Sequence, residues 1–526
     1  MKYTKIGVTT AMGLGLGLAF LSAATLPAAA TPDQGSAGVA ANSAFGIQNN
    51  VLAAGLEQSP VAWGQLPLAN PNGGITHYGY NTANGGPLTQ DANEAFKTEP
   101  DKNVYLTFGG KHYLFQGHEG GPQGYVTRVN LDETDLTKRV TLIADTRSDG
   151  AAVPTFDGIT WDPFTHQLLL AAEAAAPKGG VFGVTLDDNG DPVDGKIVPL
   201  PALGSGGYEG IQNDSAGNVW LVEDIGGAKT SGGKVPNSYV YRFTPTEKGD
   251  LSTGTLEALQ VSRGDGSAVT AKQLADNPSD QFVTDLHTYG ASFNTKWVAV
   301  TLGADNGSTA AAAAAGATPF KRPENGVFRP GTKFGEFYFT ETGDTNENST
   351  LPGAYGGVFR LSQSSPTAAT GKLSPVFLGD LEHTGLDNIQ FATKDKLLVV
   401  EDAGDSLHAQ RDALDSGYQL DLSKKNKKAP EAVRWLAEGR DASATYDHNT
   451  SPGYNDGDNE ITGIHVSNGD PTAAGILGAA DPQIMTGDWR TFWTQQHGDN
   501  VTWELHTAAA ADSHGDGRHD GKDDRD

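Results

Sequence analysis

One motif recurs along this chain and limits its fold more than any other feature. A short apolar strand runs into an acidic residue, and a second strand follows. Leu168–Leu170 leads to Glu173 and then to 181–186. Val219–Val222 leads to Glu223 and Asp224 and then to 239–243. Phe337–Phe339 leads to Glu341 and then to 358–361. Leu397–Val400 leads to Glu401 and Asp402 and then to 418–422. A turn precedes each first strand, at 163–166, 214–218, 330–333 and 393–396. Irregularly spaced strand units of this kind fit the radially repeated sheets of a propeller better than a sandwich or a single barrel. The reading is therefore all-β, a β-propeller of about six blades, with inserted loops and short helices.

Elsewhere Gly, Asn, Asp and Pro punctuate short strands, and helical periodicity is scarce. The segments near Ala271–Ala275 and Ala429–Ala437 are the helix candidates, and 245–320 reads as one large insertion. Its alanine run, within 304–318, is flanked by Gly, Asn and Ser and reads as an inserted loop. Residues 1–30 read as a signal peptide: Lys2 and Lys5, an apolar stretch from Ile6 to Leu26, then Ala28–Ala30 as the cleavage site. No twin arginine is present, so the general secretion route is expected. Residues 31–45 read as a flexible segment, 46–506 as the propeller and 507–526 as a disordered acidic tail.

Charge and cysteine content narrow the chemistry. The chain carries 64 acidic residues, a net charge of −27 and no cysteine. That field repels nucleic acid and anionic membranes, so neither is an expected partner. Thiolate ligands and a cysteine nucleophile are excluded. In a propeller, equivalent strand ends converge on one axis, so the repeated acids would crowd at one channel mouth. Like charges there repel, and calcium, which accepts six to eight oxygens in flexible geometry, relieves them. Each acid taken singly could equally cap a strand.

Two motifs are turns rather than sites. Asp214-Ser215-Ala216 resembles a serine phosphatase triplet but sits in D-S-A-G-N, a hairpin turn. Asp187–Asp191 starts like an EF-hand loop, but Pro192 replaces the required glycine. Asp456–Asn459 also reads as a turn.

An ordered series of strand-end residues spans roughly 110–500: Gly117-His118-Glu119; Gly207–Gly210; Glu223-Asp224 followed by Tyr241-Arg242-Phe243; Lys321-Arg322-Pro323-Glu324; Leu386–Ile389; Glu401-Asp402; and Glu460–Gly463. This series resembles the PhoX-type alkaline phosphatases. The resemblance implies a propeller that hydrolyses phosphate esters with a calcium-containing metal cluster. It implies that Arg322 holds the substrate phosphate and that Glu324 ligates metal. Glu119, Glu173, Glu223, Asp224, Glu401 and Asp402 would be further ligands, with Asp387, Asn388 and Glu460 beside them. The family's iron is held partly by a cysteine beside a glutamate. Ala172 or a nearby residue stands there, and Ala174 replaces a second acid, so several calcium ions without iron are expected. An extended 322–324 segment would point Arg322 and Glu324 to one side. The expected substrate is a small phosphate monoester, acted on by a secreted monomer. A lactonase-like or phytase-like calcium propeller and a non-catalytic calcium-stabilised scaffold are the alternatives.

Overall fold

The computed structural model describes residues 38–46, 48–82, 97–423, 429–440, 460–498 and 500–508. Most of 1–45, the 456–459 turn and all but the start of the 507–526 tail lie outside them.

The chain folds as successive four-strand antiparallel meanders. The first comprises Glu99–Phe108, Lys111–Glu119, Val126–Asn130 and Val140–Ala144. Its opening hairpin turns on Gly109 and Gly110, whose φ values of +57° and +77° only glycine adopts freely. The second comprises Ile159–Asp162, Gln167–Ala172, Gly180–Thr185 and Lys196–Pro199. The third runs Tyr208–Asn213, Val219–Glu223, Val240–Pro245 and Gly254–Ser262. The fourth runs Gly326–Phe328, Glu336–Glu341, Gly357–Gln363 and Thr370–Leu378. The fifth runs Leu386–Thr393, Lys396–Glu401, Ser416–Asp421 and Ala432–Ala437. The last takes Glu460–Ser467, Arg490–Gln496 and Val501–Thr507 from the C-terminal end and Leu56–Ala62 from the N-terminal end.

The opening strand of each meander packs against the opening strand of the next, and Glu460–Ser467 returns to Glu99–Phe108. The sheets thus close a circle around one axis, which is a β-propeller. The sheet shared by the two chain ends closes the circle non-covalently. Asp214 holds the predicted hairpin turn, accepting from the Ala216 and Asn218 backbone N–H groups at 2.8 and 3.2 Å and from Trp220 Nε1 at 2.8 Å. Asp187 likewise caps its own turn through Asn189 and Asp191.

Three local expectations need correction. Ala432–Ala437 is a strand, not a helix, because it pairs with Ser416–Asp421 and carries Val433 and Trp435. The alanine run contains a helix, Ser308–Ala314, since alanine has the highest helix propensity and Ala312 is buried against the core. The segment 245–320 is not all insertion: Gly254–Ser262 completes the third meander. Phe293–Ala299 bridges it to Thr370–Leu378, fusing two meanders into one sheet. The helix at Ala271–Asp276 forms as expected. Residues 38–45 lie against the fifth meander, with Val39 N–H bonded to Arg434 O at 3.1 Å and Asn42 to Glu438 O at 2.7 Å.

Apolar faces of neighbouring meanders pack on each other to form the core. Trp220, 1% exposed, meets Trp297 and Phe328 edge-on at 5.2 and 5.1 Å between the third and fourth meanders. Truncating it removes a large ring from a packed aromatic cluster. We expect Trp220→Ala to cost about 3–5 kcal/mol, read as a lower urea midpoint with an unchanged slope.

Candidate active site

Four opening strands carry the same irregularity near their start. Pairing skips between Pro100 and Asn103, between Tyr208 and Ile211, between Leu386 and Ile389, and between Thr462 and His465. In each case two residues oppose one across the ladder, which is a β-bulge. A regular strand sends alternate side chains to opposite faces, and a bulge re-aims them. Asp101 and Lys102, Glu209, and Asp387 and Asn388 occupy these bulges, and their polar groups meet at the axis. Gly210 follows Glu209 because a Cβ there would lie 2.6 Å from Glu324 O.

The neighbouring strand of each meander contributes from the other side of the ladder. Pro100, Tyr208 and Leu386, just before the bulges, pair with His118, Glu223 and Glu401. Alternation then directs the next residue, Glu119, Asp224 or Asp402, toward the axis and turns the paired residue away.

Two of the expected ligands have their oxygens taken up by protein groups. Glu223 accepts from Tyr239 N–H at 3.2 Å, Tyr241 OH at 3.0 Å and Thr309 Oγ1 at 2.5 Å. Glu401 accepts from Thr384 N–H at 2.8 Å and takes both Arg411 terminal nitrogens, at 2.9 and 3.1 Å. Glu341 does the same work for its meander, bonded to Lys321 N–H and His287 Nε2, both at 2.9 Å. Glu223, Glu341 and Glu401 thus have both carboxylate oxygens engaged by neighbouring protein groups.

Two carboxylate triads form at the axis. Asp101, Glu119 and Asp157 bring one oxygen each to within 4.8 Å of one another, and so do Glu209, Glu324 and Asp387. Glu173 joins the first through its N–H, which donates to Asp157 Oδ2 at 3.0 Å. Asp402 and Glu460 lie close enough for their charges to act on Glu119 and Asp387. Asn388 ties the ring together, donating to Asp387 Oδ2 at 2.8 Å and Thr462 Oγ1 at 2.9 Å, while the Thr462 hydroxyl donates to Asp101. Glu119, Glu173, Asp224, Glu324, Asp387, Asp402 and Glu460 are thus gathered in one region. Asp101, Asp157 and Glu209 are additions that sequence reasoning did not propose as ligands.

Arg322 lies beside the second triad. Its Nε donates to both Asp224 oxygens at 3.1 and 2.9 Å, its Nη2 lies 2.7 Å from Asp224 Oδ2 and 3.4 Å from Glu324 Oε1, and Nη1 meets Thr345 Oγ1 at 3.3 Å. The segment is not extended as expected, because Arg322 has φ +54°. A left-handed arginine is uncommon and strained. Its neighbour Lys321 anchors it through a buried pair with Asp344 at 2.9 Å.

Burial raises every carboxyl in the triads, and neighbouring carboxylates add to it. Desolvation, then the charges of Glu99 and Asp101, push Glu119 up to about 8. Desolvation and Asp224 push Glu324 up to about 7, and desolvation brings Asp101 to about 6. Asp157, Glu209, Asp387 and Glu460 are raised for the same reasons. Glu173 still reaches solvent, yet desolvation followed by Asp224 and Glu119 raises it too. Glu324 Oε1 is buried without a hydrogen bond. An all-oxygen donor set with an unsatisfied carboxylate suits a hard divalent cation and offers no soft ligand.

A sequence model of the family described as alkaline phosphatase PhoX matches residues 191–474, more than half of the chain. The chain belongs to the PhoX alkaline phosphatase family. It is accordingly a phosphatase, and the carboxylate region fits the metal dependence of PhoX phosphatases. Among solved structures, PhoX from Pseudomonas fluorescens in complex with vanadate matches with a TM-score of 0.55 at 14% identity, over 90% of this chain and 98% of that one. An α-L-arabinofuranosidase from Podospora anserina matches with a TM-score of 0.31 at 9% identity, over 86% of this chain and 99% of that one. A GH43_1 enzyme from Xanthomonas citri matches with a TM-score of 0.30 at 11% identity, over 66% and 96%. No curated protein sequence matches. Among the described residues no helix is long and apolar enough to cross a membrane.

The raised carboxyls give a pH signature. A carboxyl whose pKa is higher folded than unfolded keeps its proton longer in the folded chain. The folded state therefore holds more protons, and its stability falls as pH rises. In chelator we expect the melting midpoint to peak near about pH 5 and to decline toward about pH 8, across the range where Asp101, Glu324 and Glu119 ionise. Scanning calorimetry across pH checks this, and a rising midpoint over that range would contradict it.

Proposed function

We propose that this phosphatase is a secreted, calcium-dependent phosphomonoesterase whose site is the carboxylate ring at one end of the propeller axis. The observation that carries this reading is the pair of largely buried carboxylate triads, one of them beside Arg322. The triads Asp101–Glu119–Asp157 and Glu209–Glu324–Asp387 would hold calcium, with Asp224, Glu173, Asp402 and Glu460 completing the oxygen shell. Calcium, when bound, would supply positive charge against the oxygens of the phosphoryl group. The absence of cysteine supports a site without thiolate-held iron.

Arg322 is the phosphate clamp in this reading. A guanidinium presents parallel N–H groups that match a pair of phosphoryl oxygens. Asp224 and Thr345 fix its plane, and Glu324 lies beside its Nη2, so substrate phosphate and metal ligand would be neighbours. Burial of the triads keeps water from screening these charges. A small phosphate monoester is the proposed substrate. The vanadate complex of the Pseudomonas fluorescens protein, described as a transition state analogue complex, supports phosphoryl chemistry on a chain of this fold.

For the whole chain we propose a signal peptide at 1–30 removed near Ala30, a monomeric propeller with each meander as one blade, six in all, and an acidic C-terminal tail. We place the propeller's bounds slightly beyond 46–506 at both ends, a reading supported by the strand ending at Thr507 and the contacts of Val39 and Asn42. Calcium would be met outside the cell, where it is plentiful.

The test is hydrolysis of an aryl phosphate by the secreted form. Turnover should vanish with a chelator and return with calcium alone. Arg322→Ala should lower kcat/KM by about 10²–10³-fold in calcium while the protein remains folded. Full turnover in chelator would exclude the metal assignment, and undiminished turnover by Arg322→Ala would exclude the clamp.

A further inference from the structure

Lys102 places a cation where the ring otherwise gathers acids. It is the second bulge residue of Glu99–Phe108 and is 3% exposed. Its ammonium donates to Asn325 Oδ1 at 2.7 Å. Asn325 comes from another part of the ring, in the segment that carries Arg322 and Glu324. Its amide nitrogen donates to Glu209 Oε1 at 3.2 Å and to Asp387 Oδ1 at 3.3 Å. Asp101, directly before Lys102, belongs to the other triad. Lys102 is therefore joined to one triad by its chain neighbour and to the other through Asn325.

The arrangement has a physical logic. A buried ammonium without compensation costs several kcal/mol, and so does a buried carboxylate. Burial pushes the Lys102 ammonium down to about 8, and the charges of Asp101, Asp387 and Glu209 oppose that shift. An ammonium is a compact point charge with three rotatable donors on a flexible stem, so it can serve a crowded oxygen ring without demanding a coordination geometry. Unlike a divalent ion it cannot leave. The bulge is what makes this placement possible, since regular alternation would send Asp101 and Lys102 to opposite faces.

We propose that Lys102 is a resident counter-cation. It braces the two triads through Asn325 and keeps them assembled when no metal is bound. It is a positioning residue: it holds Glu209 and Asp387 in place for divalent cations and need not touch substrate. The proposal rests on the reading that the triads bind such cations.

The experiment compares the full mature chain with Lys102→Met and Lys102→Arg by scanning calorimetry, in chelator and in calcium. Lys102→Met should lower the melting midpoint by roughly 5 °C or more in chelator and by less in calcium. Its calcium-induced rise is then larger than that of the parent, whereas Lys102→Arg keeps the parent's rise. An equal loss in both conditions marks a merely structural lysine and overturns the proposal, as does no loss at all or a smaller rise. Should Lys102→Met not fold in calcium, Lys102→Gln keeps a donor for Asn325, removes only the charge and is judged by the same comparison. A parent whose midpoint ignores calcium sinks the metal reading itself, which is a separate outcome.

Discussion

Repulsion among buried carboxylates is the constraint on which the site depends. Closing the sheets into a circle brings the same end of every opening strand to one axis. Acids placed there cannot disperse into solvent, because the meanders that hold them also bury them. Their charges must be met by protons, by protein cations or by metal ions. Each answer has a counterpart in the structure. The raised carboxyls of the triads favour their protonated forms, Arg322 and Lys102 supply positive charge, and Glu324 Oε1, which accepts no hydrogen bond, offers an oxygen to a metal.

The backbone decides which acids take part. A strand end carrying Glu-Asp can send only one of the pair inward. At 223–224 and 401–402 that residue is the aspartate, while the glutamate binds Tyr241 or Arg411. The bulges act in the opposite direction and let consecutive residues such as Asp101 and Lys102 both face the ring. Propeller geometry and local irregularity thus combine: the first brings strand ends together, and the second aims side chains that regular pleating would send elsewhere.

The repeat of strand, acid and strand made the propeller legible in the sequence, since period and turn chemistry are local properties. The ends of three second strands were legible for the same reason, which brought out Glu173, Asp224 and Asp402, while Glu119 came from the ordered motif series. Glu223 and Glu401 were chosen with them because composition cannot tell which of two adjacent acids faces inward. Asp101 and Asp157 were passed over because their role comes from register and ring closure, which leave no periodic mark. Glu209 stood in the ordered motif series, but only the bulge reveals its direction. The strand at Ala432–Ala437 was hidden behind alanines until its partner strand imposed the pairing. Arg322 and Glu324 were paired correctly as neighbours by an incorrect route, since the left-handed backbone at Arg322 brings them together.

The central claim is that these carboxyls share protons until cations displace them. Calorimetric titration with calcium near pH 7, repeated in buffers of different ionisation enthalpy, measures the protons released on binding. We expect binding heats that vary with the buffer and report net proton release, because Glu324 and Glu119 are still partly protonated at that pH. Calcium binding with buffer-independent heat would contradict the account, since the ring would then already be fully ionised without its cations.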